Sequence, residues 1–389
     1  MSLKNYRSPV SKNIVWYFTI FFGATLVMFN DNVDLFRYKD DFEGYDKYDG
    51  SYTKFFEFLF SAETTQADIF IPIVGFIVYN LGANFKFYLA VLGLLYGYIY
   101  SRNIWYIIDR VKGNLITSTI IYILVFALIF PIWRGINGPR FSIGVHLFFF
   151  GVCKYIIDKK KYGLLIASLS IFSHFSCLFA VIILWIYVVA GNKVNIYFGL
   201  YAITLFFKEI NVNSLIDLAE SLPDVYSGRV NSYGNEEYAQ EIAVAADAVN
   251  WYAKLYITLL RWTAAVIVIL LYFKGKEYFK ENITQRNLFA FTLLFLAFAN
   301  IISVIPSGDR FLSFAFLFVF AIYAWFTNNN TQKNKLFLTF NKIATYSLLL
   351  FFIVEIRIGF DFLGLMTLLG NPLAAFIVDN DIPLINLIK

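Results

Sequence analysis

The chain has 389 residues, 59% of them hydrophobic and 15% charged, with a net charge of +5 and a mean hydropathy of +0.63. This balance excludes a soluble protein, and repeated apolar runs near the roughly 20 residues needed to cross a bilayer define a polytopic, all-α membrane protein. A transmembrane barrel would need short alternating segments instead, and a small charge scattered over short loops speaks of topology, not of nucleic acid.

Lys4, Arg7 and Lys12 precede the first apolar run, residues 14–29, and place the N-terminus in the cytoplasm. That run ends in GATLVMFN without a small-x-small cleavage site, so it reads as a retained anchor. Residues 31–68 form a Tyr-rich external loop with ten carboxylates, Asp68 the last of them. Of the two runs that follow, 69–81 is short and contains Pro72, so it reads as re-entrant or interfacial, while 85–100 crosses. The loop 102–114 carries Arg102, Arg110 and Lys112 and is expected inside. Residues 115–133 then go out and 141–157 come back, ending at Lys159–Lys161, with an outer hairpin at 133–140 between them.

Beyond this point the count has two solutions. The basic loop 274–286 also belongs inside, yet three apolar runs, 162–190, 194–207 and 251–273, separate it from Lys161. Either the first run, 29 residues long, bends at Ser173–His174 and counts twice, or the 14-residue second run does not cross. The bend is preferred because it also carries His174 to the outer side. Both solutions leave 208–250 as a large external loop with helix-like pieces at 213–221 and 236–248. Residues 288–305 exit, 306–310 turn outside, 311–326 return, and 336–354 exit again. A last apolar stretch, 362–378, is broken by Gly370-Asn371-Pro372, which leaves open whether it spans. The expectation is one integral membrane domain over 1–389 with about ten to twelve transmembrane helices.

In this topology Arg134, Arg140, Arg229 and Arg310, with His174 in the bent form, fall on the outer side, against the usual positive-inside bias. Guanidinium stays charged and binds phosphate bidentately, so such a cluster suits a lipid-linked pyrophosphate. Each arginine has a bland alternative, snorkelling to the interface or pairing with a carboxylate, as Arg310 would with Asp309. Arg140, at a helix entrance, is the one for which function is favoured. His174 suits general-base work, or else simply bonds a neighbouring helix. His146, mid-run, reads as a packing residue. Cys153 and Cys177 lie in apolar runs without CxxC spacing and read as free, buried thiols. No Walker loop, HExxH, Gly-x-Ser-x-Gly or Cys/His metal spacing occurs, which argues against ATP-driven transport and zinc hydrolysis.

The ordered pattern Arg140-Phe-Ser-Ile-Gly, Asp158-Lys-Lys-Lys161 and Ser173-His-Phe-Ser176 resembles the EpsG-like branch of the Wzy polysaccharide (O-antigen) polymerases. The Asp/Tyr-rich stretch 31–48, the Pro-Ser-Gly-Asp-Arg turn at 306–310 and Gly-Asn-Pro at 370–372 agree with it. The chain departs at Phe141, where glutamine is common in that family. The resemblance implies a GT-C-type glycosyltransferase of the bacterial inner (plasma) membrane, with its active site at the periplasmic or outer face. Such an enzyme joins undecaprenyl-pyrophosphate-linked oligosaccharide repeat units into O-antigen, capsule or exopolysaccharide. It implies no metal and no cofactor, since the lipid pyrophosphate is already activated. Its partners would be the lipid-linked units, membrane lipids and a chain-length regulator protein.

Under that reading Arg140 and Arg310, with Arg134 as third candidate, bind pyrophosphate. His174 is the base or the acceptor-orienting group, and Tyr226, Arg229 and Tyr233 contact sugars. The alternatives are an O-antigen ligase and a lipid-linked oligosaccharide flippase or transporter. A membrane O-acyltransferase would instead place its basic chemistry on the cytoplasmic face.

Overall fold

Backbone amides buried in hydrocarbon have no water to bond, so an apolar chain of this kind closes its hydrogen bonds within helices. The computed structural model describes residues 6–28, 34–61, 68–207, 250–305, 307–330, 335–372, 374–376 and 382–388. Among these the chain is helical throughout and holds no strand, its one bridge pairing Gly364 with Pro383. Five helices are long and apolar enough to cross a membrane, and shorter apolar ones lie beside them. The chain is an all-α, multi-pass membrane protein.

Helix α1 (Pro9–Ala24) starts at Ser8, whose hydroxyl accepts from the Ser11 amide, with Pro9 in the first turn. The acidic segment forms α2 (Asp34–Glu43), a 3-10 turn (Gly44–Tyr48) and α3 (Tyr52–Leu59). Helix α4 (Phe70–Asn80) has 11 residues, or about 16 Å at 1.5 Å per residue, half the roughly 30 Å of a hydrocarbon core. It starts beside Arg140 of α8 and ends just before α5 (Phe85–Ile108). Helices α1 and α5 pack antiparallel through small residues: a methyl group at Gly93 would overlap the Thr19 carbonyl, and one at Gly23 the Leu89 carbonyl.

Helix α6 (Thr117–Ile129) stops short of Pro131, which lacks an amide donor and pushes Phe130 out of the helical region. The expected hairpin at 133–140 is instead a short helix, α7 (Ile132–Asn137), leading directly into α8 (Pro139–Ile156). Helix α9 (Tyr162–Ser173) runs back along α8, with Gly151 and Gly163 at the contact, and ends at His174, whose backbone is extended at φ −150°. Helix α10 (Cys177–Ala190) returns beside α14 (Ile283–Ile302), where Phe179 meets Phe298 and Tyr187 bonds the Asn287 carbonyl. The long apolar run therefore does bend at Ser173–His174 and forms two shorter apolar helices instead of one long one. Helix α11 (Val194–Thr204) leads to the segment 208–249, which lies outside the described residues together with Tyr226, Arg229 and Tyr233.

Helix α12 (Trp251–Lys274) returns, and α13 (Lys276–Glu281) turns the chain into α14. Helix α15 (Arg310–Asn330) is apolar all round and sits among α6, α12, α14 and α8. The rings of Phe148, Phe291, Phe295, Phe314 and Phe318 interlock there. Helix α16 (Lys335–Phe362) crosses last and extends a further two turns beyond the expected end at 354. The tail does not span among its described residues. Its short helices α17 (Leu365–Leu369) and α18 (Ile385–Ile388) stay at the end of α16, held by Thr367 on Thr25 and by the Leu384 amide on the Leu363 carbonyl.

Loop cations gather at one end of the bundle. There Arg110 and Lys154 grip Asp158 at 2.5 and 2.8 Å, and the Tyr106 hydroxyl adds a bond of 2.9 Å. Burial pushes the Asp158 carboxyl up, but the bonds from Lys154, Tyr106 and Arg110 outweigh it and hold the group below its ordinary value. Arg134, Arg140, His174 and Arg310 all lie at the opposite end.

Candidate functional site

The centre of this opposite end is a fully buried carboxylate, Asp68, just before α4. One of its oxygens accepts from Arg140 Nη1 at 3.3 Å, and the other accepts from the Phe175 amide at 2.6 Å. Arg140 Nε in turn donates to the Tyr38 hydroxyl at 2.8 Å, and its guanidinium lies 5.4 Å from the Tyr38 ring centre. Burial pushes that phenol above its ordinary value, although the neighbouring guanidinium opposes it. The same carboxylate thus fixes the first turn of α8 and the turn between α9 and α10. An isolated ion would not be tolerated there, so Asp68 and Arg140 require each other.

The turn bearing His174 is built from its own short polar side chains. Ser173 Oγ donates to the Arg140 carbonyl at 2.8 Å, tying the end of α9 to the start of α8. Ser176 presents both its amide (3.1 Å) and its hydroxyl (2.7 Å) to His174 Nδ1. An amide can only donate, so Nδ1 is the accepting nitrogen and the neutral ring carries its proton on Nε2. In this tautomer Nε2 is a donor. It can orient or stabilise an oxygen, whereas removing a proton would require the other tautomer.

Phe141 joins this turn to Arg310. Its ring meets the His174 ring edge-on at 5.3 Å, and the Arg310 guanidinium lies 5.4 Å from its centre. Arg310 opens α15 and is half-buried, and among the described residues it forms no ion pair. Asp309, the partner considered from sequence, is exposed and does not hold it. Arg140, His174 and Arg310 are therefore brought together at the junction of α8, α10 and α15.

Arg134 stands apart from them. It donates to Glu355 of α16 at 2.9 Å and to the Tyr256 hydroxyl of α12 at 3.3 Å. Its charge is neutralised by a nearly fully buried carboxylate. His146 lies deep in α8, bonded to Asn103 and ringed by Tyr96, Tyr100 and Phe126, as its mid-run position implied. Cys153 and Cys177 are free and buried.

Beside Arg140, residues Tyr38, Asp41, Tyr45 and Tyr88 enclose a cavity with room for little more than a water molecule. Burial raises the Asp41 carboxyl above its ordinary value, against the nearby charges of Arg37 and Arg140. Among the described residues, no group of three or more His, Cys, Asp and Glu could hold a metal ion.

Sequence reasoning missed Asp68 and Glu355. Asp68 was one acidic residue among ten in its loop, and its only signal was its place directly before a run too short to cross. Glu355 followed the expected end of its span, and its signal was a continuing helical period, with Gly359 one turn on.

A model of the EpsG family matches residues 13–363, nearly the whole chain. No curated protein and no solved structure matches it.

Proposed function

The chain belongs to the EpsG family, and from that premise we propose that it polymerises undecaprenyl-pyrophosphate-linked oligosaccharide units. The site would face the outer side of the bacterial plasma membrane, because the loop cations gather at the opposite end. The observation that carries this reading is the convergence of Arg310, Arg140 and His174 at the non-basic end of the bundle. Arg310, with no carboxylate partner among the described residues, is the group best suited to take the pyrophosphate first. Arg140 would join by exchanging part of its contact with Tyr38 and Asp68 for phosphate oxygen.

In the reaction, the acceptor hydroxyl oxygen bonds to the anomeric carbon of the donor sugar. The bond from that carbon to the pyrophosphate oxygen breaks, and the leaving group departs with the electron pair. Two guanidinium groups at that oxygen stabilise the charge as it develops. The hydroxyl proton passes to solvent or to the released pyrophosphate. His174, with its proton on Nε2, fits the orienting role better than that of base. Phe141 keeps His174 and Arg310 in register.

The test is the surface polysaccharide ladder of a deletion strain complemented with wild type, Arg310→Ala or His174→Ala. Wild type should restore the full ladder and each variant only the single-repeat band, at equal protein levels. Full ladders from both variants would refute the assignment. Loss of even the single-repeat band in the deletion strain would point to transport instead.

A further inference from the structure

Seven buried polar side-chain atoms among the described residues have no hydrogen-bond partner, and four of them lie on α7 and the turn of α16 facing it. Two are donors, Trp133 Nε1 and Arg134 Nε, and two are acceptors, Asn137 Oδ1 and Glu355 Oε2. Buried polar groups are normally satisfied, so a local group of four asks what fills it. Their positions are linked by helical spacing. Trp133 and Asn137 are one turn apart on α7, and the Trp133 ring lies on Gly359, one turn beyond Glu355. Glu355 is 4% exposed, while the Arg134 side chain paired with it is 42% exposed, so the group opens to the outside through Arg134.

We propose that Arg134, Glu355, Trp133 and Asn137 form a glycan subsite, distinct from the Arg140–His174–Arg310 centre, that takes the hydroxyls of a neutral sugar ring. This inference rests on the polymerase reading. Charge decides the ligand class. Arg134 and Glu355 cancel, so the site does not favour a pyrophosphate, which would meet the Glu355 carboxylate. Donors and acceptors side by side match a ring bearing neighbouring hydroxyls, each of which both gives and takes a hydrogen bond. The indole supplies an apolar surface for the ring's C–H face. Water can take the same bonds, and a sugar ring competes with it by adding contact with the indole face.

The test uses the purified full-length protein in nanodiscs, with two probes: repeat-unit oligosaccharide released from its lipid, and inorganic pyrophosphate. The Arg134→Gln/Glu355→Gln variant removes both charges, keeping the shape of Glu355 and shortening Arg134, and its melting temperature is followed in parallel. It should bind oligosaccharide at least tenfold more weakly and pyrophosphate as wild type does. Unchanged oligosaccharide affinity overturns the subsite, as does loss of pyrophosphate binding with oligosaccharide binding kept. If the double variant does not fold, Trp133→Phe removes one donor and keeps a ring. It should weaken oligosaccharide binding at least threefold, and unchanged binding overturns the proposal. Wild-type protein that binds neither probe would remove the polymerase reading, and the subsite with it.

Discussion

Arg140→Ala is the obvious variant for this site, and the structure predicts that it will mislead when used alone. Asp68 is fully buried and would lose its charge partner, keeping only the bond from the Phe175 amide. At 3.3 Å and an effective dielectric near 20, the pair attracts by about 5 kcal/mol, against a desolvation cost of several kcal/mol per ion. Removing one partner of such a pair typically costs about 3–5 kcal/mol, whereas removing both charges costs far less. Arg140→Ala should therefore lower folded yield and detergent melting temperature sharply. An Asp68→Asn/Arg140→Gln variant should regain most of that loss while remaining unable to make polymer. The assay is a double-mutant cycle on unfolding in detergent, read beside the polysaccharide ladder. A coupling below about 0.5 kcal/mol would refute the reasoning, because independent sites add to within that margin.

Phe141→Leu should fold, since it keeps an apolar side chain of similar size, yet it removes the ring shared by Arg310 and His174. A cation–π contact is worth about 0.5–2 kcal/mol, so polymer yield should fall between about twofold and thirtyfold at normal expression. Gly151→Val should disrupt the contact with α9, where a side chain would strike the Ala167 backbone, costing about 1–3 kcal/mol in unfolding assays. Asp158→Asn should destabilise the protein at neutral pH. The Asp158 carboxyl is held below its unfolded value, so its contribution is present above that value, near 4, and fades as pH falls through the lower folded one. Wild type and variant should thus converge in acid, and a gap that persists there would count against the ion-pair account.

The helices and the bend at Ser173–His174 were legible because apolar runs and loop cations obey strict rules of length and side. The convergence of Arg140, His174 and Arg310 at one end followed from the same counting. What counting could not reach was pairing. Arg134 and Arg140 look alike in sequence, yet α16 brings Glu355 to one and the start of α4 brings Asp68 to the other. Helix rotation decides which carboxylate meets which arginine, and a span count carries no information about rotation. The tautomer of His174 likewise depends on one amide, that of Ser176, whose direction is set by the turn.

Helices α9, α10 and α11 have 12, 14 and 11 residues, about 18, 21 and 16 Å, and they expose Leu165, Phe172, Trp185, Val189 and Ile203 on their outer faces. A hydrocarbon layer of roughly 30 Å cannot match so low a wall without thinning beside it. Such thinning would draw headgroups on that flank toward the His174 turn at the tip of α9 and α10. A pyrophosphate carried on a prenyl chain would arrive already at the depth of the arginines, its tail still in the oil. Reconstitution in bilayers of increasing acyl length should progressively slow chain growth, and a rate indifferent to thickness would show that the dip does not serve as an entrance.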